Sequence, residues 1–599
     1  MLFIFPIFIF IILFVESLHR PSFKNALKWL KNKPSSFILN IFMLWLIFSI
    51  TMAIFNTENI SLAIVSFLVL LFSLINKYKI RFRGDPLFPW DLALKKECSG
   101  MKSYFINMET IINGLFILVF SILVLILFPR THLTFTIRIL TLSISILFIL
   151  LISFRDFLLS YPLFSKFKGS NYPEQQSEFY DKNGFVLAFI LNIKNLFNPI
   201  IKEYSSEKIQ NILKNSIDKK NKSFTNSISE KQPNIIVIMN ESFWDPSSID
   251  KLHFFNELTP TINSLKKSSG FGALISPEFG GGTSNIEFEF LTGHSMYFLP
   301  TGSMAYQSYL NKPIEALPHH LKRNGYKTIG LHSYERWFWQ RESAYKYMGF
   351  DDFISCESFT NPEIKGCFIS DMEFSKKVIN VYENTEEPLF LYGITMQNHG
   401  PYQHSRYTKM DIDLESPLDN SALDELKTYA QGVHDGDKAL KHLIDYFDNI
   451  DDPTIIVFFG DHLPMLGKNF STFVQSGYIN EERPVDWSME EKLKMACTPL
   501  IVWSNYKNSN VDLGNITPSF LGPKILDYAG LEKPLYFDFL SSFAKTSTML
   551  SSRVPNVFES TLEKETFDEL VSEYKILQYD QLFGENYMYA NALKHLETI

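Results

Sequence analysis

Apolar residues are distributed unevenly along this chain. In the first 155 positions they gather into five long runs, at residues 2–18, 37–55, 60–75, 111–128 and 133–154. Each is near the roughly 20 residues that cross a bilayer as a helix. The runs have no polar face, and helices that are apolar all round belong in lipid rather than in a soluble core. The pattern predicts five membrane spans. No small-residue cleavage site follows the first run and four more runs come after it, so it is not a removable leader.

From 156 to 232 the chain turns polar, rich in Lys, Asn and Ser. The apolar piece at 184–196 is too short to span and predicts an interfacial or docking helix. The stretch 205–232 has the composition of a linker. Beyond Pro233, short apolar runs at 234–239, 273–276, 328–331, 389–395, 454–459 and 499–503 alternate with helical or loop segments. Short β-branched or aromatic runs bounded by turns predict buried parallel strands. Between 313 and 331 a helical stretch, Gly325 as its C-cap and a strand make half of a βαβ unit. The expected organisation is a multi-pass α-helical membrane domain with five helices (1–155), a linker with interfacial helices (156–232), an α/β domain (233–555) and a charged helical tail (556–599).

Composition narrows the function. The 599 residues are 46% hydrophobic and 20% charged, which excludes a disordered chain, and the net charge of −8 gives no support to nucleic-acid binding. Cys98, Cys356, Cys367 and Cys497 have neither metal-site spacing nor disulfide density. Basic residues fall after the first run (Arg20, Lys24, Lys28, Lys31, Lys33) and after the third (Lys77, Lys79, Arg81, Arg83, Lys95, Lys96, Lys102). The positive-inside rule puts both connections in the cytoplasm, and with five spans it puts everything after 155 there as well.

Candidate chemistry lies at strand ends. The strand at 234–239 runs into Asn240-Glu241-Ser242, and that at 454–459 into Gly460-Asp461-His462. In open α/β sheets, ligands bind outside the carboxyl ends of strands. Two carboxylates and an imidazole there suit a divalent metal. Taken singly, Glu241 could be a helix cap and Asp461-His462 a turn; their joint occurrence favours the metal. Between them, Gly280-Gly281-Gly282-Thr283-Ser284 follows a further strand. Glycines let the backbone approach an anion, and a hydroxyl activated beside a metal is a nucleophile for phosphorus. The loop lacks the Lys of a P-loop. His332, then Trp339 and Arg341, and His399 follow two other strands. Arg341 could fork onto a phosphate, and a histidine could donate a proton to a leaving oxygen.

In this order the motifs, with Phe338-Trp339-Gln340-Arg341 and Asn398-His399-Gly400-Pro401-Tyr402 included, resemble the lipoteichoic acid synthase family, sulfatase-like phosphoglycerol transferases of the alkaline phosphatase superfamily. The resemblance covers nearly the whole chain, including the Arg83-Gly84-Asp85-Pro86 loop. It implies a sulfatase-like catalytic domain with Glu241, Thr283, Asp461 and His462 as ligands of one divalent ion, typically Mn2+. It implies Thr283 as nucleophile, His399 as a catalytic group, and His332, Trp339, Arg341 and His399 around glycerol phosphate. The implied donor is phosphatidylglycerol or a similar anionic lipid and the acceptor a polymer or glycan. The implied location is the cell membrane with the catalytic domain outside, against the charge count. Two departures stand out. No cysteine has the Cys/Ser-x-Pro-x-Arg context of a true sulfatase nucleophile, and Tyr334 replaces a small polar residue. Phosphoethanolamine transfer, phosphatase activity, and a non-catalytic membrane binding protein or transporter are the alternatives.

Overall fold

The computed structural model describes residues 4–20, 22–83, 86–93, 108–153, 173–196, 201–217, 231–467, 470–507, 510–558 and 560–596. Parts of the expected linker, at 156–172, 197–200 and 218–230, and of the basic connection, at 84–85 and 94–107, lie outside the described residues. The chain divides into two compact units, one of Met1–Pro199 with Pro300–Ser303 and one of Ile200–Leu299 with Met304–Ile599.

The first unit is helical. The five apolar runs appear as helices Ile4–His19, Pro34–Phe55, Glu58–Arg83, Met108–Leu127 and Phe135–Ser153. Among the described residues three helices, Pro34–Phe55, Glu58–Ile80 and Thr110–Leu127, are long and apolar enough to cross a membrane; a fourth is counted if Ile4–His19 and Phe23–Asn32, bent by 115°, form one span. Phe135–Phe148 is a shorter apolar stretch. The short helix Phe185–Asn192 is buried within this unit. A helix N-terminus so enclosed leaves N–H groups that need partners. The Phe185 N–H donates to Glu16 Oε1 (2.8 Å) and the Leu187 N–H to Asn40 Oδ1 (2.9 Å).

The second unit is built on an eight-stranded sheet: β1 (Asn234–Asn240), β2 (Gly270–Ile275), β3 (Lys327–His332), β4 (Asp352–Ile354), β5 (Leu389–Ile394), β6 (Thr454–Gly460), β7 (Cys497–Ser504) and β8 (Asp512–Ile516). Their spatial order is β8-β2-β7-β6-β1-β5-β3-β4. All six expected strands are present. One expectation is corrected: β7 runs antiparallel to both β6 and β2, whereas β1, β3, β4, β5 and β6 form a parallel set. An apolar run does not encode its direction. Successive residues of β1 alternate between two cores, Ile235, Val237 and Met239 in one and Ile236 and Ile238 in the other. The strand is therefore buried on both faces, as its unbroken apolar run requires. Helix Ser206–Ile217 adds Ile209, Ile212 and Leu213 to the first core, and helix Thr561–Leu582 adds Phe567, Tyr574 and Leu577.

Candidate active site

The parallel register of β1 on β6 pairs Asn240 with Gly460, so the two strands end side by side. Glu241 and Asp461-His462 leave the sheet at the same edge as a result. The strand order carries that edge onward to Thr395 after β5 and to His332 at the end of β3.

Main-chain donors fix the Asp461 carboxylate and side-chain hydroxyls that of Glu241. Asp461 Oδ1 accepts the N–H groups of Ser242 (2.7 Å) and His462 (2.8 Å). Glu241 Oε1 accepts the Ser242 hydroxyl (2.8 Å), and the Glu241 N–H donates to Thr395 Oγ1 (3.1 Å). Ligand atoms of Glu241, Asp461 and His462 all lie within 4.8 Å of one another, and all three residues are buried. Asp461 Oδ2 and His462 Nε2 are buried without a hydrogen-bond partner and lie 3.2 Å apart. Leaving such atoms unpaired costs on the order of 1–3 kcal/mol each, unless something absent from the polypeptide satisfies them. Burial, and then the Asp461 carboxylate, push the Glu241 pKa well above the usual carboxylate range. A site this rich in buried acceptors fits a divalent cation, and two carboxylates with an imidazole match a first-row or magnesium-like ion.

Thr283 arrives from the other side. It opens helix Thr283–Thr292, and its hydroxyl lies 3.4 Å from Glu241 Oε2. The approach depends on glycine at two positions. Gly280 (φ 65°) donates its N–H to the Leu463 carbonyl (3.0 Å), tying the loop to the Asp461-His462 turn. Gly282 (φ 88°) has the Glu278 side chain 2.9 Å from where a Cβ would sit. Neighbouring Ser284 is buried, with its hydroxyl 3.9 Å from the Met304 sulfur.

Three imidazoles share one arrangement. His462 Nδ1 faces the Leu463 carbonyl (3.0 Å), His332 Nδ1 that of Ile394 (3.0 Å) and His399 Nδ1 that of Gly400 (2.8 Å). A carbonyl can only accept, so the proton belongs on Nδ1 and the lone pair on Nε2. Burial lowers the pKa of both His332 and His399; the Arg341 charge lowers the first further and the Arg406 charge the second. His332 Nε2 is itself buried and unpartnered.

Arg341 differs from the sequence expectation. Its side chain is buried and its fork is occupied by Glu287, with Nη2 to Oε1 at 2.6 Å and Nε to Oε1 at 3.0 Å. The hydroxyl of Tyr345 also donates to Glu287 (2.8 Å). Glu287 was not singled out in the sequence, although a glutamate four residues after Thr283 lies on the same helical face. Trp339 is half-buried on a strained loop in which both it (φ 59°) and Gln340 (φ 55°) are left-handed. Phe368, equally absent from the sequence candidates, packs on His399 at 5.8 Å between ring centroids.

Residues 233–531 match the sulfatase family model. A putative cyclic beta-1,2-glucan modification protein of Rhizobium meliloti is 36% identical over 419 residues, covering 69% of this chain and 63% of that protein. The lipoteichoic acid synthase of Staphylococcus saprophyticus is 28% identical over 263 residues, 43% of this chain and 39% of that protein. The matches thus span less than two thirds of these relatives' own lengths. Among solved structures, the Streptococcus pyogenes phosphoglycerol transferase GacH, in complex with sn-glycerol-1-phosphate, shares the fold. Its TM-score is 0.55 at 23% identity, over 66% of this chain and 98% of that one.

Proposed function

The chain belongs to the sulfatase family, as a lipoteichoic acid synthase-like member of the alkaline phosphatase superfamily, and from that premise we propose that it is a membrane-anchored phosphoglycerol transferase with Thr283 as its nucleophile. The donor is phosphatidylglycerol or a similar anionic lipid, and the acceptor a cell-envelope polymer or glycan; the glucan named for the Rhizobium relative supports the latter. The catalytic unit faces outward, where such acceptors are found. The observation that carries the reading is the buried set of Glu241, Asp461 and His462, two of whose ligand atoms lack partners, facing the Thr283 hydroxyl.

Glu241, Thr283, Asp461 and His462 would hold one divalent ion, Mn2+ in this reading. When bound, the ion lowers the pKa of a hydroxyl and offsets phosphate charge. Thr283 Oγ1 forms a bond to phosphorus as the bond to the diacylglycerol oxygen breaks. The Thr283 proton ends on that departing oxygen through His399 Nε2. In the second half, an acceptor hydroxyl forms the new P–O bond and the bond to Thr283 Oγ1 breaks. The acceptor's proton returns to Thr283 by the same imidazole. His332 and Trp339 line the glycerol-phosphate group, while Arg341, held by Glu287, contributes its charge from behind.

Intact-mass analysis of the full chain in detergent, with phosphatidylglycerol and Mn2+, tests this. A phosphoglycerol adduct is expected on the native protein and on Ser284→Ala, and neither adduct nor diacylglycerol release on a folded Thr283→Ala. An adduct surviving on Thr283→Ala would place the nucleophile elsewhere.

A further inference from the structure

Beyond the reacting groups, the two histidines of the substrate pocket are joined by a continuous aromatic wall. Phe338 is parallel to His332 (6.5 Å between ring centroids, 14°), and Tyr334 meets Phe338 edge-on (5.2 Å). Phe368 meets Tyr334 (5.9 Å) and closes on His399 (5.8 Å). From Phe338 the wall continues outward to Trp337 (6.0 Å), whose side chain is 42% exposed. The path that starts at His332 therefore ends on an exposed indole. The loop is also held in an expensive conformation. Two consecutive non-glycine residues with positive φ cost on the order of 1–3 kcal/mol each, and such outliers cluster at ligand sites.

Charge selects the occupant. The two loops that build the wall, 333–340 and 355–369, carry three carboxylates, Glu335, Glu357 and Glu363, and two cations, Arg336 and Lys365. Both cations are committed, Arg336 to Glu342 (3.5 Å) and Lys365 to the buried Asp435 (2.9 Å). Arg406, behind Phe368, is directed at the carbonyl oxygens of Gln397, His399 and Pro401. A polyanionic acceptor such as a chain of glycerol phosphates would meet aromatic rings and carboxylates here, an arrangement that repels it. A neutral sugar ring suits the same wall. Its C–H face is complementary to the negative face of an aromatic ring, and its hydroxyls donate well to carboxylates. We infer that Trp337, Tyr334 and Phe368 form the acceptor subsite and that the acceptor is a neutral glycan, whose hydroxyl is presented between His332 and His399. This rests on the transferase reading above and specifies its second half.

The test uses the full chain in detergent with two probes, a neutral gluco-oligosaccharide and an oligo(glycerol phosphate). Calorimetric titration is expected to show binding of the first and not the second. Trp337→Ala should weaken that binding about tenfold, the loss of roughly one stacking contact, and Trp337→Phe should restore most of it. With phosphatidylglycerol present, Trp337→Ala should divert the phosphoglycerol group from oligosaccharide to water by a similar factor, through a raised acceptor KM. An oligosaccharide that does not bind the native chain, binding unchanged in Trp337→Ala, or a preference for oligo(glycerol phosphate) would overturn the inference. Oligosaccharide binding without any donor turnover would instead sink the transferase reading and leave the subsite standing.

Discussion

Replacing Gly460 by alanine tests how tightly the fold sets the candidate metal site. Gly460 is the last residue of β6, paired with Asn240 and followed by Asp461. A Cβ there would lie 1.9 Å from the Phe243 carbonyl oxygen and 2.8 Å from its carbon. An ordinary C···O approach is about 3.3 Å, so the two chain segments must part by roughly 1.4 Å. Both obstructing atoms belong to backbone, and no rotamer change relieves the clash. The same turn supplies the Ser242 N–H that holds Asp461 Oδ1 at 2.7 Å, and a parting of that size breaks the bond. Overpacking of this kind costs about 1–3 kcal/mol in stability. Displacing a reacting group by 1 Å costs on the order of 100-fold in rate. The assay is Mn2+ titration of the full chain in detergent alongside diacylglycerol release, with circular dichroism to establish folding. Gly530→Ala is the control: Gly530, unlike Gly460, has positive φ (73°), but nothing lies within 4 Å of its Cβ position, so it should lose stability without losing metal affinity. A folded Gly460→Ala that binds Mn2+ within twofold of the native protein and turns over normally would refute the reasoning.

Two further outcomes concern side chains behind the site. Arg406 donates to the His399 carbonyl (2.7 Å), so Arg406→Gln should lower kcat by roughly 10-fold or more with Mn2+ affinity unchanged; Arg406→Lys should not rescue it, because a point charge cannot reproduce the fork. Unaltered kcat in both would remove the positioning role. Glu289, which accepts from the Met296 N–H (2.7 Å) and the Ser295 hydroxyl (3.0 Å), has its pKa pushed up to about 8 by burial. A carboxyl raised from its usual value favours the folded state at low pH, and that stability is lost as pH rises from about 4.5 to 8. Glu289→Gln should therefore abolish a loss of about 2 kcal/mol between pH 6 and 8, read as the shift in thermal midpoint. An unchanged pH slope would contradict it.

How legible all this was depends on the range of the interaction. Runs such as 234–239 and 454–459 announce strands because burial on both faces demands an unbroken apolar sequence, and the residues directly after each run land at the ligand edge. The short strands Asp352–Ile354 and Asp512–Ile516 lie at the two sides of the sheet, where fewer residues are buried and no such run is needed. The antiparallel course of β7 depends on connections rather than on its own residues. Glu241, Asp461, His462 and Thr283 could be read from motifs beside strand ends. The Glu287–Arg341 pair could not, because its partners are 54 positions apart and nothing local says that a glutamate in an apolar helix will be matched by that arginine. Helix Ser206–Ile217 hides its apolar spacing, Ile209, Ile212 and Leu213, among lysines and asparagines that resemble a tether.

The carbonyl contacts of the three imidazoles divide labour in a way that matters for redesign and for descent. Main-chain oxygens of Leu463, Ile394 and Gly400 orient these rings, and a side-chain exchange cannot delete a main-chain oxygen. Tyr334, Trp337 and Phe368 instead make side-chain contacts, ring against ring and, at Phe368, ring against the Arg406 guanidinium, and other side chains can take over contacts of that kind. Tyr334 and Phe368 pack on His332 (6.2 Å) and His399 (5.8 Å), whereas Trp337 meets Phe338, one ring further out from the reacting groups. A lineage, or a laboratory library restricted to position 337, can change what is decorated while leaving intact how the decoration is attached.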